Sequence, residues 1–395
     1  MKRFFSYTIL SFFLLLLPTG QASANNNDSI RLSLLTCAPG EEIYSLFGHT
    51  AIRYENPSQG IDVVFNYGLF SFNTPNFIFR FSLGETDYQL GATDYERFAA
   101  EYAFFGRSVW QQTLNLTDEE KTELIRLLQE NYRPENRVYR YNFFYDNCAT
   151  RPRDKIEESI AGKVIYPAEP QDGSLTFRDI VHQYCKGHPW ARFGIDLCIG
   201  SEADQPITQR QMMFAPFYLM DAFDGAQIKG DSIQRPLITA NELIVDATPE
   251  PDKSDWMPTP LQCSLLLFIL TAAATIYGIR RRTGLWGIDL FLFGIAGIVG
   301  CVLAFLALFS QHPAVSSNFL LLVFHPGQLL FLPYIIYCVR KGKKCWYLTL
   351  NLAVLTLFIV LFPVIPQRFD FAVVPLALVL LIRSASNLIV TSKKK

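Results

Sequence analysis

A cysteine, a histidine and an asparagine set the chemistry available to this chain of 395 residues: Cys148, His49 and Asn66 can form a nucleophile, a base and an orienting group for acyl transfer. Cys148 lies in the stretch Tyr145-Asp146-Asn147-Cys148-Ala149-Thr150-Arg151-Pro152-Arg153-Asp154. Residues 137–145 upstream are dense in β-branched and aromatic side chains, which predicts a strand. Residues 150–160 downstream carry helix formers, with Pro152 tolerated in a first turn. A thiol at a helix start meets unpaired backbone N–H groups and the positive end of the helix dipole, which favour thiolate and can hold an oxyanion. The N–H groups around Cys148 and Ala149 are the oxyanion candidates, and Asn147, Arg151 and Asp154 are read as support for the helix start. An arginine touching a phosphate is the alternative role there. The competing reading of Cys148 is a small buried hydrophobe or half of a disulfide.

His49 opens the first arm of a predicted hairpin. Phe47-Gly48-His49-Thr50-Ala51-Ile52-Arg53-Tyr54 is followed by a turn at residues 56–60 and a second arm over 61–68 that carries Asn66. A strand backbone fixes the angle of the imidazole, and Asn66 on the neighbouring strand can orient it; a partly exposed polar histidine is the plainer reading. Around this hairpin the pattern predicts a strand over 29–35, a helix over 94–104 and a helix from a capping box at Thr117 and Glu120 to about Tyr132. The last would have a core stripe of Leu124, Ile125, Leu127 and Leu128. Cys37 follows a strand and precedes Pro39-Gly40 with no helix to lower its pKa, which makes it the poorer nucleophile. His182, Cys185, His188 and Cys198 have a zinc-like spacing. A Cys185–Cys198 disulfide in an oxidising compartment, or two unrelated thiols, fits them better.

The compartment follows from the chain's two ends. Met1-Lys2-Arg3, an apolar run from Phe4 to Pro18 and Ala22-Ser23-Ala24 read as a secretory signal over residues 1–24. Residues 25–245 are polar-patterned and long enough for one α+β domain, and 246–260 form a proline-rich linker with Trp256 placed for a membrane interface. Residues 261–395 hold five apolar segments, near 261–279, 285–309, 318–339, 345–363 and 371–390, each of membrane-spanning length. Arg280-Arg281-Arg282, the cluster Arg340, Lys341, Lys343 and Lys344, and Lys393-Lys394-Lys395 share one side, whereas the opposite loops hold only Arg368. The positive-inside rule therefore puts residues 25–245 outside the inner membrane, in the periplasm. His325, beside Pro326-Gly327, is read as a hydrogen-bonded histidine at a kink, and Arg383 as snorkelling to the cytoplasm. A net charge of −1 argues against a nucleic-acid partner.

The order His49, Asn66, Cys148 resembles the permuted, NlpC/P60-like branch of the papain-like fold, which includes lecithin–retinol acyltransferase and its relatives. Its mammalian members usually carry histidine at the position of Asn66. A longer resemblance, through residues 34–49, 65–68, 142–151 and 153–154, is to the Lnb family: a periplasmic domain on a five-helix membrane domain, assigned as lipoprotein N-acyltransferases. The resemblance implies a permuted papain-like α+β domain followed by an all-α domain of five transmembrane helices. It also implies transfer of an acyl chain from a membrane phospholipid, through a Cys148 thioester, to the N-terminal amine of a diacylglyceryl-cysteine lipoprotein. Neither a cofactor nor a metal is expected. A membrane-tethered cysteine peptidase or amidase of the cell wall and a non-enzymatic envelope protein are the alternatives.

Overall fold

The computed structural model describes residues 30–71, 73, 75–230, 234–247 and 257–392; the signal segment and most of the linker, Trp256 included, lie outside them. Strand side chains alternate between faces, and the central strands bury both. In β1 (Arg31–Cys37), Leu32 and Leu34 enter one core and Leu35 and Cys37 a second. β2 (His49–Asn56) and β3 (Ile61–Leu69) are the hairpin arms, joined by a short 3₁₀ turn at Pro57–Gln59. After α1 (Phe77–Leu83) come β4 (Asp87–Asp94), α2 (Tyr95–Phe104), β5 (Val109–Leu114), α3 (Asp118–Tyr132), β6 (Val138–Arg140) and α4 (Thr150–Ser159). β7 (Lys163–Ile165), α5 (Phe177–Tyr184), α6 (Pro189–Cys198), α7 (Gln209–Met212), α8 (Pro216–Asp224), β8 (Gln227–Lys229), β9 (Gln234–Pro236) and β10 (Ile238–Val245) complete the domain. Seven strands form one antiparallel sheet in the order β10-β5-β1-β2-β3-β4-β6, and β7, β8 and β9 form a second. The capping box at Thr117 and Glu120 is formed, and Leu124, Leu127 and Leu128 are buried on α3.

The strand expected over 137–145 stops at Arg140. The Oδ1 of Asn142 accepts the N–H groups of Phe144 and Tyr145 at 3.2 and 3.1 Å, curling the chain before the cysteine. This local side-chain-to-backbone bonding wins over the strand propensity of the aromatics.

The C-terminal region is helical: α9 (Pro260–Arg281), α10 (Trp286–Phe309), α11 (Pro326–Leu330), α12 (Leu332–Lys341), α13 (Trp346–Leu361) and α14 (Val373–Ser392). Among the described residues four stretches are long and apolar enough to cross a membrane. A fifth, Phe319–Leu330 with Leu332–Lys341, is bent by 74°. Pro326 and Pro333, each at a helix start, interrupt the backbone ladder at the bend. His325 there faces Asn351 at 3.3 Å and Tyr347 at 3.4 Å. Arg383 does not snorkel. Its guanidinium is buried against both carboxylate oxygens of Asp289, at 2.7 and 3.0 Å, and against Thr275, because an internal partner removes the need to reach water.

The two regions are tied together by the loops opposite the basic clusters. Arg368 donates to Asp179 at 2.6 Å, Asp204 at 3.0 Å and Thr176 at 2.6 Å. Asn318 donates to the Leu197 carbonyl at 2.7 Å, and Glu202 accepts from Ala314 N–H at 3.0 Å and Ser316 at 2.9 Å. Gly200 N–H and Ser201 N–H reach the carbonyls of Ala314 and Ser317 at 2.6 and 2.9 Å. Arg178, fully buried beneath this segment, holds it in shape through Asp196, Asp204 and the carbonyls of Ile199 and Gly200.

Candidate active site

His49 stands at the first position of β2, and its placement depends on the residue before it. Gly48 has φ of 78°, and a Cβ there would lie 2.5 Å from the Cys37 carbonyl oxygen, so a side chain at this position would push His49 out of register. Asn66 is buried on β3, in a ladder with Ala51 of β2. Its Nδ2 donates to the Val64 carbonyl at 3.3 Å, which turns Oδ1 toward His49 Nε2, also at 3.3 Å. An acceptor at Nε2 requires the proton on that nitrogen, leaving Nδ1 as the basic atom.

Cys148 lies just before α4, beside β3, where a Cβ built on Gly68 would lie 3.6 Å from its own Cβ. Its thiol is met by the backbone N–H of Thr50, the residue after His49, and by its own N–H. The structure thus brings Cys148, His49 and Asn66 to one place, from the helix start and from two neighbouring strands.

The electrostatics differ from those expected of a helix-start thiolate. Burial pushes the Cys148 thiol up to about 11, against the lowering by the two amides, and burial also pushes the His49 imidazole down to about 4. Both residues are only half-buried, and desolvation disfavours both charged forms, which shifts the pair toward neutral thiol and neutral imidazole. Alkylation of Cys148 by iodoacetamide, followed by peptide mass mapping, should therefore accelerate about tenfold per pH unit from 7 upward, as the thiolate fraction does. A rate already flat between pH 5 and 9 would show a resting thiolate–imidazolium pair instead.

Asn147 is a cap. Its Oδ1 accepts the N–H groups of Ala149 and Thr150 at 2.8 and 2.9 Å, and its Nδ2 donates to the carbonyls of Phe143 and Phe214, both at 2.8 Å. The Ala149 N–H is therefore occupied and is not a free oxyanion donor; of the two amides expected to serve, that of Cys148 itself remains at the thiol. Arg151 clamps Asp146 through two bonds of 2.6 and 2.8 Å and lies 3.5 Å from the Tyr139 ring centre. Asp154 points away, pairing with Arg153 and Arg210 on the surface of α4.

Tyr139 escaped the sequence reading. Its ring is buried and, among the described residues, its hydroxyl has no hydrogen-bond partner. It faces the small space beside Gly68: a Cβ built there would lie 3.9 Å from the hydroxyl and 3.6 Å from Cys148 Cβ. A buried hydroxyl without a partner next to the candidate nucleophile is a donor in waiting. The only sequence signal was an aromatic in a β-branched run, which marks core as readily as site.

Cys37 sits opposite His49 in the β1–β2 ladder, with its thiol pushed up to about 12 by burial, and is inert by comparison. Of the two readings of Cys185 and Cys198, a disulfide or unrelated thiols, the structure has unrelated thiols: Cys185 lies in a core beneath α5 and Cys198 faces an apolar groove at the end of α6. His182, the first of the zinc-like set, is held by the carboxylate of Asp196 at 2.9 Å.

Two family models match the chain. One, described as the Lnb N-terminal periplasmic domain, covers residues 20–182, and the other, described as the Lnb transmembrane domain, covers residues 252–395. No curated protein and no solved structure matches it.

Proposed function

We propose, from the premise that the chain belongs to the Lnb family and is a membrane-anchored periplasmic enzyme, that it is a cysteine-dependent lipoprotein N-acyltransferase of the inner membrane. The observation that carries this reading is the convergence of Cys148, His49 and Asn66 in a domain whose loops are bonded to the end of a membrane-helix bundle.

In the first half-reaction, Cys148 Sγ attacks the ester carbonyl of a phospholipid while His49 Nδ1 takes the thiol proton. Because both groups rest neutral, proton transfer and attack proceed together. The oxyanion receives the Cys148 N–H and the Tyr139 hydroxyl. Collapse breaks the ester C–O bond, the imidazolium returns its proton to the glycerol oxygen, lysophospholipid leaves and a thioester remains. In the second half-reaction the α-amine of a diacylglyceryl cysteine attacks the thioester carbonyl, His49 takes the amine proton, and the C–S bond breaks to give the amide and the thiol. Asn66 keeps the imidazole in the tautomer both halves need.

Incubating the purified protein with phospholipid and measuring its intact mass tests this reading. The expected result is an increase of one fatty-acyl group on Cys148, discharged by a diacylated lipopeptide, with formation slowed about 10²- to 10³-fold in Tyr139→Phe. No adduct from any phospholipid, together with cleavage of a cell-wall peptide, would overturn it.

A further inference from the structure

The aromatic residues of α1 are placed where a water-soluble protein would not put them. Ile78 is 80% exposed and Phe79 58% exposed, yet this helix packs on the end of α10, with Phe79 5.8 Å from Phe305 and Phe81 5.3 Å from His312 between ring centres. Gln311 N–H bonds the Leu83 carbonyl at 2.8 Å, fixing α1 at that height. Between α1, the last turns of α10 and the ends of α5 and α6 lies a groove of about 1020 Å³. Phe79 and Phe81 line one wall, Val302 and Phe305 another, and Phe143 and Ile199 the wall toward the soluble domain. That volume is at the upper end of the roughly 300–1,000 Å³ common for ligand pockets.

One wall belongs to a membrane-spanning helix, so the groove opens into hydrocarbon as well as toward the soluble domain. Its domain-side wall, Phe143 and Phe144, belongs to the turn just before Cys148, where Asn147 Nδ2 donates to the Phe143 carbonyl at 2.8 Å. The Phe143 ring also lies 4.8 Å from that of Phe47, two residues before His49. An apolar cleft walled on one side by a membrane-spanning helix and on the other by the turn that precedes Cys148 is filled by lipid tails rather than water.

We infer that this groove binds an acyl chain of the donor glycerophospholipid and leads its ester to Cys148, so that the donor enters sideways from the bilayer between α1 and α10. The inference rests on the acyltransferase reading and names where its donor binds.

The test uses the full chain in phospholipid nanodiscs. A phospholipid with a diazirine at the end of one acyl chain should crosslink to residues 76–82 and 301–306 and also to Ile195 or Ile199, which belong to the soluble domain's wall. In parallel, Val302→Trp should lower the ratio of long-chain acylation of Cys148, from phospholipid, to its acetylation by p-nitrophenyl acetate by roughly tenfold or more. Crosslinks confined to the outer faces of α9 and α13, an unchanged ratio, or labelling of the groove by a diacylated lipopeptide probe but not by the phospholipid would each overturn the groove as donor site. If wild-type Cys148 takes acetyl from p-nitrophenyl acetate but no acyl chain from phospholipid, the acyltransferase reading fails instead, and the crosslinks still decide the groove on wild-type protein.

Discussion

Cys148→Ser should insert and fold like the wild type, form no acyl adduct and lose lipopeptide acylation by a factor on the order of 10⁴ or more. The folding half of this expectation follows from size, since an oxygen replaces a sulfur in a site already lined by two N–H donors, those of Thr50 and Cys148 itself. Loss of activity follows from acidity. The thiol is held near 11 by burial and its base near 4, so the site works with little margin for proton transfer. A serine hydroxyl, a far weaker acid in the same dry surroundings, puts the attacking anion out of reach of that imidazole. Thermal unfolding and intact mass, measured on the same sample, separate a dead site from an unfolded protein. Retained acyl transfer in a folded Cys148→Ser protein would remove the thioester from the mechanism.

His49→Ala should cost roughly 10³-fold or more in the rate of Cys148 acylation by phospholipid, because no second base stands in the same position. Asn66→Ala should cost less, about 10- to 100-fold, since the imidazole is still present but its tautomer and angle are no longer fixed. The pH profile gives an independent check. A base must be neutral to accept a proton, and burial lowers His49 to about 4, so activity on the acid side should persist to about that pH. An ordinary histidine near 6.5 would lose it two units earlier. Asn66→Asp puts a carboxylate beside Nε2, which favours the charged imidazole and should move the acid limb upward. An acid limb that stays put in Asn66→Asp would mean that His49 is not the group being titrated.

The sequence showed those parts of the site that depend on local chemistry. The hairpin bearing His49 and Asn66 was visible because its arms and turn use the residues such elements need, and α3 because its capping box announces itself. The apolar spans were visible because the hydrocarbon core demands length. What stayed hidden depends on partners distant in the chain. The Ala149 N–H looked free until the side chain of Asn147 folded back on it, and the strand before the cysteine looked longer until Asn142 captured two amides. Arg383 looked solvent-seeking because Asp289, its partner 94 residues away, cannot be paired with it by spacing. The same holds for Tyr139, whose hydroxyl has meaning only beside Gly68, and for α1, whose phenylalanines were one more aromatic run in a chain with 33 of them.

The bonds between Arg368, Asp179, Asp204 and Thr176 on one side, and between Gly200, Ser201 and the 314–317 loop on another, fasten the two regions together. The height of the thiol above the bilayer is then set by these two short loops and not by the length of the proline-rich tether. A nucleophile that cannot dip must have its ester raised to it, and it presents the same doorway to whatever comes second. Donor and acceptor would have to take turns there, with the acyl group parked on sulfur in the interval.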